Sequence, residues 1–267
     1  MIVEFIGCAG AGKTMLRRRL CGRTIAGRPG VAMADLVAGR PPLSRITHPT
    51  ALNVVQELVG FPSFVRAWRR DPRFVAFARH LYARHARSGY DELNGMRGVM
   101  RKLGMYELAR TQAPESLVLW DEGTLLTAYD LFVMTGLEFG RPELERLAAL
   151  VPLPDVVVHV RAPVASLVAR AHSRPDPRRQ HIGKDDVAVE RDVRRTIDLF
   201  DLLASTSPLA GRVMVVGNED RDEAGRQRLA DEVADRLLDG TAVEKAGRTA
   251  SPGLAAGAVA EGGTVAC

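Results

Sequence analysis

The feature that most constrains the fold is the stretch GCAGAGKT, Gly7 to Thr14, because of what lies on either side of it. Before it, MIVEFIG is a short β-branched and aromatic run that stops at a glycine, which is typical of a buried parallel strand leading into a tight turn. After it, KTMLRRRLCGR places its apolar residues mostly on one side and then meets Gly22, a helix stop. The chain is therefore predicted to begin with a strand, a glycine loop and a helix.

The loop itself satisfies the Walker A pattern G-x-x-x-x-G-K-[ST] in full, in the strand-to-helix context that the pattern requires. Glycines let backbone N–H groups converge on an anion, and the helix N-terminus adds partial positive charge. Lys13 is then expected on the β- and γ-phosphates of ATP, and the Thr14 hydroxyl on Mg²⁺. The predicted nucleotide contacts in the loop are Gly7, Ala9, Gly10, Ala11, Gly12, Lys13, Thr14 and Met15.

A second apolar run, SLVLWDEG, ends in two carboxylates. Residues 117–120 indicate another buried strand, with Asp121 and Glu122 at its C-terminal end. An acid at that position is where a P-loop protein holds its magnesium, so Asp121 is the predicted metal ligand beside Thr14. Glu122 is expected to order the metal shell, to activate a hydroxyl or to activate water. The choice among these roles separates a kinase from an ATPase.

Composition limits the compartment and the partners. The 37 basic and 32 acidic residues give a formal charge of +5, which suits anionic ligands but lacks the dense basic stripe of a dedicated nucleic-acid binder. Three cysteines without CxxC spacing indicate neither a disulfide framework nor a zinc site. The chain holds no run of about 18 uncharged apolar residues. The sequence thus predicts a cytoplasmic protein with no membrane partner.

The organisation of the chain predicts one main domain, 1–240, in which strands alternate with helices. Within it, residues 50–112 carry apolar residues at helical spacing and form a predicted helical insertion, with eleven Lys or Arg between positions 66 and 110. VAMADLV, residues 31–37, is a candidate second strand, with Asp35 near its end. From residue 241 the composition changes to Ala, Gly, Thr and Val, so 241–267 is predicted to be a low-complexity, mobile tail.

Four stretches together resemble the P-loop nucleoside and nucleotide kinases, thymidylate kinase most nearly: GCAGAGKT, the strand ending WDEG, PDVVVHVRAPVASLVARAHSR and VMVVGNED. The likeness covers about residues 1–20 and 116–238. It implies a three-layer α/β P-loop kinase fold with a parallel five-stranded sheet. It also implies an ATP- and Mg²⁺-dependent transfer of the γ-phosphoryl group to a small hydroxyl or phosphate acceptor.

The resemblance assigns roles to residues outside the loop. It implies an arginine-bearing lid over residues 170–186, an adenine-binding loop near Gly217 to Glu219 that includes Asn218, and a base at Asp35 that orients the acceptor hydroxyl. The stretch ARAHSRPDPRRQHIGK holds five arginines and lysines. The N–H donors of a guanidinium group are suited to binding the charge spread over the oxygens of a phosphoryl group. The lid arginines implied by the resemblance are Arg170, Arg174, Arg178 and Arg179.

The sequence does not identify the molecule that accepts the phosphoryl group. Where thymidylate kinases carry a DR pair after the central strand, this chain has Asp121-Glu122-Gly123, and the block 50–112 matches no acceptor-binding motif. Arg97, Arg101 and Lys102 either clamp an anionic acceptor or form an exposed helical face. The alternatives are a kinase acting on a nucleic-acid end or a modified base, and a P-loop ATPase or switch with a protein partner. A homodimer is also left open.

Overall fold

The computed structural model describes residues 1–38, 49–173, 183, 185–219 and 222–249. These residues form an α/β structure around one six-stranded sheet of order β2-β3-β4-β1-β5-β6. All neighbouring strands are parallel except β2, which is antiparallel to β3. The strands are β1 (Ile2–Ile6), β2 (Thr24–Ile25), β3 (Arg28–Ala32), β4 (Leu117–Trp120), β5 (Val156–Arg161) and β6 (Val213–Gly217).

The expected count of five strands is corrected to six by a tight hairpin that joins β2 to β3. Its two connecting residues, Ala26 and Gly27, have φ values of 52° and 74°. Positive φ at both central positions matches the right-handed twist of a two-residue hairpin. The sequence signal for β2 was weak, because the strand has only two residues and Ala occupies a position that usually favours Asn or Gly.

The predicted second strand, 31–37, is also corrected. β3 ends at Ala32, and Asp35 begins a short helix instead of closing a strand. Alanine is a poor strand former, so the local sequence did not distinguish the two states. Tertiary pairing with β4, from Gly30 to Ala32, sets the end of the strand.

Helices occupy most of the remaining described residues. Among them, no helix is both long enough and apolar enough to cross a lipid bilayer. The helices are α1 (Lys13–Leu20), α2 (Asp35–Ala38), α3 (Pro49–Arg70), α4 (Arg73–His85), α5 (Gly89–Gln112), α6 (Leu126–Ala128), a π-helix (Tyr129–Val133), α7 (Arg141–Leu150), α8 (Val164–His172), α9 (Asp186–Ala204), a 3₁₀ turn (Ala210–Arg212) and α10 (Glu223–Thr249).

Both faces of the sheet are covered, because successive side chains of a strand point to opposite sides. Val3 and Phe5 of β1 belong to a core cluster with apolar residues of α1, α8, α9 and α10. Ile2 and Ile6 belong to clusters with residues of the helices that follow β3 and β4. The arrangement is compatible with a three-layer α/β fold. Glu4 points to the same face as Ile2 and Ile6 and is fully buried.

The helical block consists of α3, α4 and α5 and packs on the sheet through α5. Two glycines allow α3 and α5 to approach closely: a Cβ on Gly104 would lie 2.4 Å from the carbonyl oxygen of Gly60. The Ser88 hydroxyl caps α5 by accepting a hydrogen bond from the backbone N–H of Asp91 at 3.1 Å. The close contact with α3 and the cap at Ser88 therefore both fix α5, the helix through which the block packs on the sheet.

α10 continues to Thr249, past the residue at which the composition predicts the main domain to end. Its buried residues Leu229, Val233 and Leu237 pack on the sheet before that boundary. Residues 250–267 of the predicted tail lie outside the described residues.

Candidate phosphate-binding site

The glycine loop and the end of β4 enclose a cavity of about 260 Å³, here named the loop cavity. β1 and β4 are adjacent parallel strands, so their carboxyl ends lie side by side at one edge of the sheet. Ligands of open α/β sheets bind outside this edge. The loop cavity is lined by Gly7, Ala9, Gly10, Gly12, Lys13, Thr14, Met15, Asp121, Glu122, Leu126, Tyr129, Thr196 and Phe200.

The conformation of the loop requires glycine at its two ends. Gly7 and Gly12 have φ values of 129° and 104°, which L side chains rarely adopt. A Cβ on Gly7 would lie 2.3 Å from the carbonyl oxygen of Val160, and a Cβ on Gly12 would lie 2.1 Å from the Asn218 side-chain nitrogen. The fixed glycines of the sequence pattern therefore have a steric cause in this fold.

Lys13 lies over the inside of the loop at the first turn of α1. Its Nζ donates hydrogen bonds to the carbonyl oxygens of Gly7 at 2.7 Å and Cys8 at 2.9 Å. An ammonium group held there faces the space into which the loop opens. Lys13 also lines the loop cavity, so its charge lies beside any anion bound there.

Thr14 and Asp121 join the loop to the end of β4. The Thr14 hydroxyl donates a hydrogen bond of 2.6 Å to Oδ2 of Asp121. The Nε of Arg17 lies 3.0 Å from the other carboxylate oxygen, but its N–H does not have hydrogen-bond geometry, so this contact is an ion pair alone. The sequence-predicted pair of Thr14 and Asp121 is brought together, with a cation on its outer side.

The oxygen donors of this pair fit Mg²⁺, which favours carboxylate and hydroxyl oxygens and usually completes its shell with water and substrate phosphates. Among residues 1–38, 49–173, 183, 185–219 and 222–249, no group of three or more His, Cys, Asp or Glu is placed to hold a metal ion by itself. Thr14 and Asp121 would supply two oxygen ligands, and water or phosphate oxygens would supply the others.

The other two predicted carboxylates differ in position. Glu122 lines the loop cavity, is exposed and makes no hydrogen bond or ion pair with the described residues. Asp35 is exposed at the start of α2 and does not line this cavity. The charge of Asp35 does act on Cys21, the residue that follows α1. Burial raises the pKa of the Cys21 thiol, the Arg17 charge lowers it, and the charges of Asp35 and Asp121 raise it further. Asp35 thus lies within electrostatic reach of this region but apart from the loop.

Arg170 and Asn218, which the resemblance places in the lid and in the adenine-binding loop as nucleotide contacts, both hydrogen-bond to the backbone of the glycine loop. Arg170 on α8 donates a hydrogen bond of 2.7 Å to the carbonyl oxygen of Gly10. The buried Asn218 side chain, directly after β6, donates one of 2.6 Å to the carbonyl oxygen of Ala11. Neither side chain lines the loop cavity. Both contacts occupy carbonyl groups of the loop and so hold its backbone in place.

Glu4 is a functional candidate that sequence reasoning missed. Its carboxylate accepts hydrogen bonds from the backbone N–H of Leu125 at 2.8 Å and of Leu126 and the Thr124 hydroxyl at 3.3 Å. Burial raises the pKa of Glu4 to about 7. A Cβ on Gly123 would lie 2.2 Å from the Glu4 carboxyl carbon. Glu4 therefore sets the path of the segment that carries Asp121, and its signal was a lone acid inside a buried strand.

The aromatic and helical residues of the cavity wall were also missed. Tyr129 and Phe200 follow the apolar spacing of core helices, and that pattern alone gives no sign of a cavity. The predicted lid residues Arg174, Arg178 and Arg179 lie outside the described residues. Comparison with known proteins adds no family: no protein-family model matches the chain, and no curated protein was found to be similar to it.

Proposed function

We propose that the chain is an ATP- and Mg²⁺-dependent kinase that transfers the γ-phosphoryl group to a small hydroxyl or phosphate acceptor. The observation that carries the proposal is the junction of the glycine loop with the end of β4. Lys13, Thr14 and Asp121 line one cavity, although Asp121 is 107 residues from Thr14 in sequence. A glycine-rich turn with no ligand would have no need for this constellation.

Each group of the loop cavity has its own role in the proposed phosphoryl transfer. The N–H groups inside the loop and the Lys13 ammonium bind the phosphate oxygens. Thr14 and Asp121 hold Mg²⁺, which when bound offsets the negative charge of the phosphates. The acceptor oxygen forms a bond to the γ-phosphorus as the bond from that phosphorus to the β,γ-bridging oxygen breaks. The hydroxyl proton leaves to water or to a nearby carboxylate.

The size of the loop cavity supports binding of phosphates rather than of a whole nucleotide. Its volume of about 260 Å³ is below the roughly 300–1,000 Å³ of pockets that enclose a complete small ligand. The phosphate chain therefore fits inside, while the nucleoside extends beyond the walls. Positioning and charge neutralisation dominate in phosphoryl transfer, so a site built around the phosphates is suited to it.

ATP hydrolysis is a second candidate function, favoured by Glu122. This carboxylate lines the loop cavity and makes no hydrogen bond or ion pair with the described residues, so it is able to orient a water molecule. A hydrolase would split ATP at full rate without an acceptor. A kinase would release little phosphate until its acceptor is present.

A polynucleotide acceptor receives less support from the helical block. Of the eleven basic residues that the sequence places between positions 66 and 110, five form ion pairs with acids of the same protein. Such side chains are less available for a phosphate backbone. The paired residues are Arg70, Arg73, Arg97, Lys102 and Arg110.

The proposal is tested by ADP release and product mass across a panel of nucleosides, nucleotides, sugars and sugar phosphates. In Lys13→Ala, turnover should fall by about a hundredfold to a thousandfold, because a cation positioned on transferring charge is worth about 3 to 4 kcal/mol. Circular dichroism should show an unchanged fold, since Lys13 is outside the buried core.

Arg18→Ala is the matched control. Arg18 is exposed on the same helix and does not line the loop cavity, so its removal takes one cation from α1 without touching the site. Turnover in this variant should equal that of the wild type. Equal turnover in Lys13→Ala, Arg18→Ala and the wild type would remove the nucleotide-binding role from the loop.

A further inference from the structure

A second cavity, of about 650 Å³, lies among α4, α5, the π-helix and α9 and is here named the helical cavity. It shares two walls with the loop cavity. The π-helix contributes Tyr129 to the loop cavity and Asp130 and Val133 to the helical cavity, while α9 contributes Thr196 to the first and Asp192 to the second. Four residues of an α-helix rise by ~6 Å, so Asp192 and Thr196 lie about one helical turn apart along α9, one lining each cavity.

Because the same two elements line both cavities, the helical cavity is the neighbouring space from which a second substrate could approach the phosphates. A group reacting in the loop cavity has to be reached from a chamber beside it, and reacting atoms must come within about 3 to 3.5 Å of each other. The helical cavity is large enough to enclose a small metabolite, by the usual range of roughly 300–1,000 Å³. It is therefore a candidate acceptor site, an inference that depends on the proposed kinase function.

The charges of the lining select the ligand. Arg101 is partly buried on α5, lines the helical cavity and makes no hydrogen bond or ion pair with the described residues. Its neighbours in sequence are bound: Arg97 pairs with Glu57 at 2.7 Å, and the buried Lys102 pairs with Asp130 of the π-helix. Of the basic cluster that the sequence indicates on α5, only Arg101 therefore offers its charge to the cavity.

A second arginine adds to this charge at the mouth of the cavity. Arg87 is exposed, lines the helical cavity and likewise has no partner among the residues that the structure describes. A guanidinium group binds carboxylate or phosphate oxygens through parallel N–H donors. A phosphomonoester is a dianion near neutral pH, and two such groups beside the three lining aspartates suit a ligand that carries both a phosphate and hydroxyl groups.

The rest of the lining suits hydroxyl groups. Carboxylate and amide oxygens accept hydrogen bonds from hydroxyls, and the Thr135 hydroxyl both donates and accepts. Tyr82, the one aromatic residue among the described lining residues, is 3% exposed, so its ring offers no open face for a nucleobase. The polar lining residues other than the arginines are Asp91, Asn94, Asp130, Thr135 and Asp192.

We propose that the helical cavity binds the phosphate acceptor and that this acceptor is a phosphorylated polyol or sugar whose phosphate is held by Arg101, with Arg87 at the rim. A free hydroxyl of the same molecule then lies toward the loop cavity. The acids of the lining position the hydroxyls of the polyol, and Arg101 determines that the phosphorylated form is chosen over the neutral one.

Binding is measured first, without nucleotide, by isothermal titration calorimetry on the full chain. The probes are glycerol 3-phosphate, ribose 5-phosphate and glucose 6-phosphate, each beside its unphosphorylated form, with glucosamine and thymidine monophosphate as probes of amino-sugar and nucleobase binding. At least one sugar or polyol phosphate should bind more tightly than its neutral form. Arg101→Ala should weaken that binding by about 10- to 100-fold, as expected for loss of a charge-assisted hydrogen-bonding pair.

Two further variants separate the role of Arg101 from a general loss of charge or of structure. Arg101→Lys keeps the charge and should recover part of the affinity. Arg79→Ala removes an exposed arginine of the same helical block that does not line the cavity, and it should bind the phosphates as the wild type does. The melting temperatures of all variants are compared by circular dichroism. If Arg101→Ala proves to be unfolded, the affinity of Arg101→Lys for the sugar phosphate decides whether Arg101 binds the phosphate.

Three outcomes overturn the proposal: equal binding of phosphorylated and neutral forms, preference for glucosamine or thymidine monophosphate, or unchanged sugar-phosphate binding in Arg101→Ala. Transfer of phosphate from ATP to a neutral acceptor, unaffected by Arg101→Ala, also overturns it while leaving the kinase proposal intact. Conversely, Arg101-dependent binding of a sugar phosphate without any transfer from ATP supports the site and contradicts the kinase proposal.

Discussion

The loop cavity and the helical cavity are built in different ways, although they share two walls. One wall of the loop cavity is formed by backbone, with glycines at positive φ and carbonyl groups fixed by Arg170 and Asn218, and side chains from the end of β4, the π-helix and α9 complete it. The helical cavity is formed by side chains from four helices, and its residues range from Tyr82 to Asp192 in sequence. A site made of backbone requires particular residues at fixed spacing, whereas a site made of side chains leaves no such pattern.

Substitution of Asp121 is expected to have the largest effect, because the phosphate site in the glycine loop depends on this one side chain. In Asp121→Asn, kcat should fall by about a hundredfold to a thousandfold, since a misoriented or neutral ligand weakens the hold on Mg²⁺ and its phosphates. Steady-state rates over a range of Mg²⁺ concentrations measure the effect. Much of the loss should appear as a higher Mg²⁺ requirement.

Glu122→Gln is the companion variant, and it distinguishes the two candidate functions. If the protein is a kinase, the wild type should hydrolyse ATP slowly without an acceptor, and Glu122→Gln should change that rate little. Fast hydrolysis by the wild type that is lost in Glu122→Gln would establish the ATPase instead. A kcat of Asp121→Asn near that of the wild type would show that the loop works without the carboxylate at the end of β4.

Glu4 is a buried side chain outside any motif, yet it positions the segment that carries Leu126 into the wall of the loop cavity. Burial raises its pKa from 4.5 to about 7, so the folded state keeps a proton that the unfolded state releases. The contribution of Glu4 to stability is therefore complete below pH 4.5 and is lost as the pH rises through 7. That loss amounts to ~3 kcal/mol in the free energy of unfolding. In Glu4→Gln this decline should be absent.

The measurement is urea unfolding of wild type and Glu4→Gln from pH 4.5 to 8, taken as a difference between the two proteins. The difference removes the opposing contribution of His159, whose pKa is lowered to about 4 by burial and which gains stability as the pH rises from 4 to 6.5. Glu122→Gln serves as control, because this exposed acid should leave the pH profile of the wild type unchanged. Parallel profiles for wild type and Glu4→Gln would rule out the proton on Glu4.

Substitution of Gly104 is expected to have the smallest effect. It tests whether the helical block, like the glycine loop, depends on close backbone contacts. In Gly104→Ala the new Cβ would lie 2.4 Å from the Gly60 carbonyl oxygen, which neither helix can avoid without moving. The free energy of unfolding should fall by about 1 to 3 kcal/mol. Thermal unfolding followed by circular dichroism measures the change.

Gly98→Ala is the matched variant on the same helix, because no atom lies within 4 Å of its added Cβ. It should raise stability by about 0.5 to 1 kcal/mol, as expected for replacing glycine within a helix. If Gly104→Ala and Gly98→Ala changed stability alike, close approach of α3 and α5 would not be what requires glycine, and backbone constraint would be confined to the loop.

The sequence predicted an α/β fold and the elements that carry the loop cavity, because their signals are local. β1 is a continuous apolar run apart from Glu4, and Asp121 directly follows another. Parallel strands align their carboxyl ends, so Lys13, Thr14 and Asp121 were expected to meet. The hairpin of β2 and the end of β3 at Ala32 could not be predicted in this way, since pairing across the sheet decides them.

The helical cavity could not be predicted, for a related reason. The sequence shows Arg97, Arg101 and Lys102 as a basic cluster on one helix, but it does not show that Glu57 and Asp130 bind two of them. The remaining charge is revealed only by the three-dimensional arrangement. The same holds for Glu4, which is unusual within its strand but whose partners lie more than 100 residues away.

The contact between Glu4 and Gly123 has an evolutionary consequence. A side chain at position 123 would displace the Glu4 carboxyl group, because a Cβ would lie 2.2 Å from the Glu4 carboxyl carbon. A displaced Glu4 carboxyl group, or a shorter residue at position 4, would give up the hydrogen bonds from the backbone N–H groups of Leu125 and Leu126. Positions 4 and 123 should therefore covary among homologous chains, as neighbours in space that are distant in sequence.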